Sequence, residues 1–119
     1  MQSVREVMQR HVVAVARHTS LGSALRLMKT SHVPIAPVLD GSRLVGVLDA
    51  DSASRGKEGQ EVEDVMSQPV YALEGESVES AAKKMAKARM PRLPVVNSAG
   101  AMECTGIITS TDIASQMKR

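Results

Sequence analysis

A helical and a strand-like hydrophobic pattern alternate along the chain. The first helical pattern places apolar residues at Leu21, Ala24, Leu25 and Met28. This i, i+3, i+4, i+7 spacing predicts a helix that buries one face, and Thr19 or Ser20 is a suitable N-cap. The helix is not expected to continue beyond Ser31, because Pro34 and Pro37 follow.

A β-hairpin and two shorter elements complete the pattern. The hairpin strands are predicted at Val38-Leu39 and at Leu44–Leu48, with a turn at Asp40-Gly41 and a short helix afterwards. Nearer the N-terminus, a short helix is expected around Val4–Met8. The apolar stretch Val12–Val15 predicts an extended segment or a short strand.

The whole pattern occurs twice. Val4–Met8 returns as Val62–Met66 with an offset of 58 residues, and Gly46–Leu48 returns as Gly106–Ile108 with an offset of 60. The other elements of the second copy are predicted at Ser77–Arg89, Leu93–Val96, Glu103–Ile108 and Ser110–Lys118. Such self-similarity indicates a duplicated structural unit.

The duplication defines the expected domains. Residues 1–55 form the first repeat, residues 56–61 a polar, glycine-containing linker, and residues 62–119 the second repeat. A repeat of under 60 residues buries too little apolar surface to be stable alone. We therefore expect one α/β (α+β) domain with two repeats related by a pseudo-twofold axis, each a small sheet with a hairpin packed against two helices.

Composition narrows the class of protein. The chain is 43% hydrophobic over 119 residues, enough for a core, and several of its eight methionines fall at apolar-periodic positions. The longest apolar runs have five residues, whereas a membrane span needs roughly 18. The N-terminus also lacks the apolar region of a secretory signal. A cytoplasmic protein without a membrane partner is expected.

Charge and side-chain chemistry disfavour several functions. The 15 basic and 13 acidic residues are mixed, and one Tyr without Phe or Trp offers little for base stacking, so nucleic acid is not an expected partner. The single Cys104 and three scattered histidines match no zinc-ligand spacing. No phosphate loop or activated nucleophile is recognisable, so no enzyme activity is expected. Asp49 and Asp51 are the one pair of carboxylates that could hold a hard cation such as magnesium.

The segment Gly106–Ile113 is the strongest candidate for a binding site. Its apolar half predicts a buried strand, and Thr109–Asp112 then stands where a helix begins. Two interpretations are open. Thr109 or Ser110 caps the helix while Asp112 complements its dipole. Alternatively, the helix N-terminus binds a phosphate and the Asp112 carboxylate accepts hydrogen bonds from a sugar diol.

Four motifs follow one another in the second copy. They are Asp-Val-Met at 64–66, Ser-Val-x-x-Ala-Ala-x-x-Met at 77–85, Leu-Pro-Val-Val at 93–96 and Gly-Ile-Ile-Thr-x-x-Asp-Ile at 106–113. Their order and spacing resemble the CBS domain, named after cystathionine β-synthase. The duplication resembles the CBS pair, or Bateman module, from Val4 to about Met117.

The resemblance implies a regulatory sensor that binds AMP, ADP, ATP or S-adenosylmethionine between the repeats, with no other cofactor. Thr109, Thr111 and Asp112 would contact phosphate and ribose. The adenine would be held by His11, Val12, Val13, Val33, Pro34 and Ile35. The resemblance also implies a homodimer that acts on an effector protein in trans. The alternative is a structural dimerisation module without a ligand.

A twin site is implied in the first copy, where the sequence departs from the family pattern. Asp49 replaces the phosphate-binding Thr, and Ser52 replaces the ribose-binding Asp, although Asp51 could reach the ribose. Because a carboxylate repels a phosphate, one competent and one impaired site are predicted. The impaired site would contain Asp51, Ser52, Val70, Tyr71, Met90, Pro91 and Arg92.

Overall fold

The computed structural model describes residues 2–117. Lys118, where the last predicted helix ends, lies outside the described residues, as do Met1 and Arg119. The elements are α1 (Val4–Val7), β1 (Val15–Ala16), α2 (Leu21–Thr30), β2 (Ile35–Asp40), β3 (Arg43–Asp49), α3 (Ala50–Ala53), α4 (Val62–Val65), β4 (Ala72–Leu73), α5 (Val78–Ala88), β5 (Arg92–Val96), β6 (Cys104–Thr109) and α6 (Ser110–Met117). Within this part of the chain, none of the helices combines the length and apolar character needed to cross a membrane.

Two compact units contain these elements. The central unit is Val13–Pro69, and the terminal unit combines residues 1–12 with residues 70–119. Each has a three-stranded sheet, in the order β1-β2-β3 in the central unit and β4-β5-β6 in the terminal unit. Two small mixed sheets with flanking helices confirm the predicted α+β class.

Both sheets are built in the same way. The short first strand runs parallel to the second, with Val15 opposite Val38 in the central unit and Ala72 opposite Val95 in the terminal unit. The second and third strands form the antiparallel hairpins expected from the sequence. Gly41 in the central hairpin turn has a φ of 64°, which glycine adopts without steric cost.

Each unit has its own hydrophobic core. The central core contains Val15, Leu21, Ala24, Met28, Ala36, Val38, Leu48, Ala53 and Val62. The terminal core contains Val4, Met8, Ala72, Val78, Ala81, Met85, Leu93, Val95, Ile108 and Ile113. Met66 also packs against the central core, so Met8, Met28, Met66 and Met85, which all fall at apolar-periodic positions, contribute to the two cores.

The opening helices are exchanged between the two copies. Helix α1 comes from the first copy, yet Val4 is fully buried in the terminal core, and α4 of the second copy buries Val62 in the central core. The Val4 N–H donates to the Glu76 carbonyl at 2.8 Å, and the Val62 N–H donates to the Thr19 carbonyl at 2.9 Å. The packing units therefore divide the chain at different points from the sequence repeats, whose boundaries stay a prediction.

The predicted linker lies within the central unit and is hydrogen-bonded to α2. The Gln60 carbonyl accepts from the Leu21 N–H at 2.7 Å, and the Glu58 carbonyl accepts from the Gly22 N–H at 3.2 Å. Both donors belong to the first turn of α2, where N–H groups have no partner inside the helix. Residues 56–61 thus contribute to the fold as well as joining the repeats.

An ion pair also holds each exchanged helix, and the two pairs have opposite polarity. Arg5 Nη2 of α1 lies 2.6 Å from Glu74 Oε1, whereas Glu63 Oε2 of α4 lies 2.8 Å from Arg17 Nη2. Arg5 and Glu63 occupy equivalent positions in the two copies, as do Arg17 and Glu74. Docking either helix on its own copy would bring two like charges together, so the charges favour the exchange.

The environment of Glu74 keeps this pair charged at neutral pH. Its side chain is mostly buried, with 10% exposure, while that of Arg5 is 63% exposed. The Thr105 hydroxyl and the Arg5 guanidinium lower the pKa of the Glu74 carboxyl. The stability that the ionised carboxylate contributes is therefore present at neutral pH and is lost as the pH falls through this lowered pKa.

Arg5→Glu should lower the free energy of unfolding by about 1–2 kcal/mol, because it places a second carboxylate beside the buried Glu74. Adding Glu74→Arg restores opposite charges and should recover part of the loss. Arg26→Glu disturbs the exposed Arg26–Glu58 pair and, as the matched control, should change stability by less than about 0.5 kcal/mol. Urea unfolding measures all three. Equal losses in Arg5→Glu and Arg26→Glu would contradict a specific role for the Arg5 pair.

Candidate functional site

The candidate corner lies in the terminal unit, where β6 ends at Thr109 and α6 begins at Ser110. The Asp112 N–H donates to the Thr109 hydroxyl at 3.1 Å, and the Thr109 N–H donates to Asp112 Oδ2 at 3.0 Å. The Ser110 N–H donates to the Pro91 carbonyl at 2.8 Å. This reciprocal cap satisfies donors at the helix start and confirms that Thr109 caps α6.

Gln9 also contacts the Asp112 carboxylate. It belongs to the opening segment of the chain, residues 2–12, which includes α1. Its backbone exchanges two hydrogen bonds with Ile107, each of 2.8 Å, which places Gln9 beside β6. Its side-chain amide then donates to Asp112, at 3.1 Å from Oδ1 and 3.2 Å from Oδ2. Gln9 was not predicted as a site residue, because an isolated polar residue carries no local signal for a role that depends on the exchange of α1.

Glycine at position 106 allows the opening segment to pass this close. A Cβ there would lie 2.7 Å from the Gln9 carbonyl oxygen and 2.8 Å from Met8 Sδ. Gly46 has the same function in the central unit, since its Cβ would lie 2.7 Å from the Ser67 carbonyl oxygen. The glycine that recurs in both copies therefore makes room for the exchanged segment.

The Asp112 carboxylate retains capacity for a ligand. An ionised carboxylate has about four lone-pair sites, and among the described residues Oδ1 receives the Gln9 amide alone. Asp112 is partly exposed and Thr111, one residue earlier on α6, is exposed. Thr109 is 8% exposed and faces the interior. The corner can thus offer one oriented carboxylate oxygen and one accessible hydroxyl group.

The equivalent corner of the central unit has different chemistry. The Asp49 side chain caps α3 by accepting from the Asp51 N–H at 3.0 Å, and the Ala50 N–H donates to the Pro34 carbonyl at 2.9 Å. The side chains of Asp49, Asp51 and Ser52 are exposed. Two carboxylates therefore stand at a helix start where the terminal corner has Thr109 and Thr111.

The residue that corresponds to Gln9 also differs. Ser67 forms the same backbone bridge, with hydrogen bonds of 3.1 and 2.9 Å to Val47, so the opening segment of the second copy docks in the same way. Its side chain is too short to reproduce the amide contact that Gln9 makes with Asp112. The central corner therefore lacks an equivalent of the hydrogen bonds from the Gln9 amide to Asp112.

The predicted ligand residues are divided between the units. The terminal unit contains His11, Val12, Val70, Tyr71, Met90, Pro91 and Arg92 together with Thr109, Thr111 and Asp112. The central unit contains Val13, Val33, Pro34, Ile35, Asp51 and Ser52. Across the two hairpins, Arg92 lies opposite Thr109, and Ile35 lies opposite Asp49. The grouping of these residues into one competent and one impaired site stays a prediction.

An open apolar groove of about 470 Å³ lies elsewhere on the terminal unit. It is lined by Ala82, Met85, Ala86, Arg89, Met90, Pro91, Ser110 and Ile113. The lining includes Ser110 and Ile113 of α6 but omits Thr109, Thr111 and Asp112. The groove is thus distinct from the capped corner, although Met90 and Pro91 of the predicted impaired site contribute to it.

Two units of one fold, each with a capped strand-to-helix corner, define a tandem α+β repeat protein. The CBS domain family model matches residues 4–55 and again residues 62–119. These matches cover most of the chain. The chain therefore belongs to the CBS domain family and forms a CBS pair.

Similar sequences occur in proteins of different size. The CBS domain-containing protein YhcV of Bacillus subtilis (strain 168) is 34% identical over 121 residues, covering 96% of this chain and 84% of YhcV. An inosine-5'-monophosphate dehydrogenase of Thermoplasma acidophilum is 32% identical over 110 residues, covering 92% of this chain. The chain spans 22% of that dehydrogenase, so the likeness concerns a part of the enzyme.

Two similar solved structures contain adenosine compounds. CBSX2 in complex with AMP is 28% identical, has a TM-score of 0.84 and is covered in full, as is this chain. The CBS domain pair of protein MJ0100, in complex with 5-methylthioadenosine and S-adenosyl-L-methionine, is 23% identical with a TM-score of 0.82. That comparison covers 98% of this chain and 96% of the other, and it supports the fold alone.

Asp112→Ala should lower the free energy of unfolding by about 1 kcal/mol, because the Thr109 N–H and the Gln9 amide lose their acceptor. Asp112→Asn keeps an oxygen acceptor and should lose less than half as much. Asp51→Ala removes an exposed carboxylate at the corresponding helix start of the central unit; as the control, it should stay within about 0.5 kcal/mol of the wild type. Guanidinium unfolding measures the free energy of unfolding of the three variants and ranks them. If Asp51→Ala lowered the free energy of unfolding as much as Asp112→Ala, the hydrogen bonds that Asp112 accepts from Gln9 and Thr109 would have no specific stabilising role.

Proposed function

We propose that this CBS pair is a regulatory module that binds an adenosine-containing ligand, such as AMP, ADP, ATP or S-adenosylmethionine. Asp112 receives the ribose hydroxyl groups and the exposed Thr111 contacts the phosphate or its equivalent, while the buried Thr109 caps α6 and orients Asp112. The adenine is held by His11, Val12, Val13, Val33, Pro34 and Ile35. The AMP complex of the 28% identical CBSX2 supports this class of ligand.

The proposal depends above all on the Asp112 carboxylate. The Gln9 amide and the Thr109 N–H fix its orientation from two sides, at 3.0–3.2 Å. A carboxylate held in place loses little conformational entropy when it accepts hydrogen bonds from a vicinal diol. Capping alone does not require the Gln9 contact, because the Thr109–Asp112 pair already closes the helix start.

The first turn of α6 supports anion binding. Thr111 is exposed there, with a hydroxyl group and a backbone N–H at the positive end of the helix dipole. Phosphate oxygens accept from such donors, whereas Asp112 is suited to accept from hydroxyl groups. The corner therefore offers donors and an acceptor in the order that a ribose phosphate requires.

The central corner forms the weaker site in this proposal. A phosphate about 4 Å from one carboxylate is disfavoured by about 1 kcal/mol in water and about 4 kcal/mol at an effective dielectric constant of 20. Those energies correspond to roughly 5-fold to 1,000-fold weaker binding. Asp49 and Asp51 both stand at this helix start. Asp51 and Ser52, with Val70, Tyr71, Met90, Pro91 and Arg92, therefore bind a phosphorylated ligand poorly.

Regulation follows from linkage between ligand binding and conformation. A ligand that contacts both repeats favours the arrangement in which those contacts coexist, and a homodimer transmits that preference to an effector protein. The apolar groove of about 470 Å³ on the terminal unit supports the second candidate, a dimerisation module without a ligand. The two candidates differ in whether any nucleotide binds.

Calorimetric titration of AMP, ADP, ATP and S-adenosylmethionine tests the proposal. At least one ligand should bind with about one strong site per chain. Asp112→Asn should weaken this binding at least tenfold, because the amide replaces an acceptor oxygen with a donor. Asp51→Asn is the matched control and should leave the strong site within twofold of the wild type.

Two outcomes would contradict the proposal. Unchanged affinity in Asp112→Asn would exclude the corner as the ribose site. Failure of every ligand to bind, together with a dimer in light scattering, would favour the structural module. Asp112→Asn must show the circular dichroism spectrum of the wild type for its affinity to be compared.

A further inference from the structure

Three ligating side chains converge in the central unit, where the turn after β1 meets the start of α4. His18 Nδ1 lies 2.9 Å from Glu61 Oε1 and 3.5 Å from Glu63 Oε1. All three ligand atoms lie within 4.8 Å of one another. In a tetrahedral zinc site with bonds of about 2.0–2.1 Å, ligand atoms are about 3.3 Å apart. The observed separations therefore need little adjustment to receive an ion.

Backbone hydrogen bonds hold the two segments that carry these ligands. The Glu63 N–H donates to the Arg17 carbonyl at 3.0 Å, and the Val62 N–H donates to the Thr19 carbonyl at 2.9 Å. These bonds lie on both sides of His18 in the chain. The Glu61 N–H donates to Asp64 Oδ2 at 3.1 Å, which fixes the start of α4. These hydrogen bonds therefore position the two ligand-bearing segments without a metal ion.

The charges around the cluster favour a divalent cation. Glu61, Glu63 and Asp40 carry three negative charges, and Arg17 is the positive side chain paired with two of them. Arg17 contacts Glu63 through Oε2, which leaves Oε1 directed at His18. With a neutral imidazole the group has a net charge of −2. A divalent ion would neutralise that charge, and one imidazole with two carboxylates suits zinc better than magnesium.

The terminal unit provides an internal comparison. The positions equivalent to His18, Glu61 and Glu63 are Gly75, Ser3 and Arg5, which offer no comparable ligand set. Arg5 docks α1 through Glu74, just as Arg17 docks α4 through Glu63. Docking of the opening helix therefore requires neither an imidazole nor a second carboxylate.

We propose that His18, Glu61 and Glu63 bind a zinc-like divalent transition-metal ion. The ion joins the turn after β1 to the first turn of α4, so it fastens the opening segment of the second repeat to the central unit. The remaining coordination position faces solvent, because the His18 and Glu61 side chains are 65% and 46% exposed. Water completes the coordination.

Zinc titration of the metal-free full chain, without an affinity tag, tests the proposal. Calorimetry should give one saturable site per chain, and zinc should raise the melting temperature while magnesium at the same concentration should not. Cobalt substituted for zinc should give visible absorption bands typical of a four-coordinate ion. His18→Gln and Glu61→Gln should each weaken zinc binding at least tenfold.

Two control variants separate this cluster from other metal-binding groups. His32→Asn removes an exposed histidine outside the cluster, and Cys104→Ser removes the thiol, whose pKa is raised by burial. Both should bind zinc within twofold of the wild type. Wild-type affinity in His18→Gln and Glu61→Gln, loss of binding in Cys104→Ser, or the absence of saturable binding would each overturn the proposal. Both cluster positions are at least partly exposed, so folded variants are expected, and circular dichroism verifies them.

Discussion

The hydrogen bonds that seat the opening segment on the terminal unit are the constraint on which the candidate site depends. Val4 and Arg5 donate to the carbonyls of Glu76 and Glu74, and Gln9 forms its bridge with Ile107. That bridge is possible because Gly106 has no Cβ to meet the crossing backbone. Once the segment is seated, the Gln9 amide reaches Asp112. The geometry of the Asp112 carboxylate, which we propose as the ribose acceptor, thus depends on a segment about 100 residues away in the sequence.

The two units share the backbone hydrogen bonds that dock the opening helix, but they differ in the side chains around them. Backbone docking is the same in both units, with equivalent bonds from Val4 and from Val62. The side chains differ: the ion pairs have reversed polarity, and Gln9 is replaced by Ser67. Because backbone hydrogen bonds dock the opening helix in both units, docking does not require the same side chains in each. In the function we propose, this difference distinguishes a competent nucleotide site from an impaired one.

Features set by local sequence could be predicted, and those set by distant contacts could not. The apolar period from Leu21 to Met28 is sufficient for the helix, and the spacing between Thr109 and Asp112 is sufficient for the cap. The exchange of α1 and α4 was not predicted, because Val4 and Val62 have the same apolar character whichever core they enter. Gln9 was not predicted as a site residue, because its contact with Asp112 depends on that exchange. His18 was counted among three scattered histidines that match no zinc-ligand spacing, because its partners Glu61 and Glu63 are more than 40 residues away.

Amide NMR spectra recorded during an AMP titration test the central claim most directly. The account predicts saturable shifts of the backbone signals of Thr109–Asp112 and of the Gln9 side-chain amide, with much smaller shifts at Asp49–Ser52. Such a result would place the ligand at the terminal corner and connect it to the exchanged segment. Saturable shifts confined to the groove around Met85 and Ile113, with Thr109–Asp112 unchanged, would contradict the account.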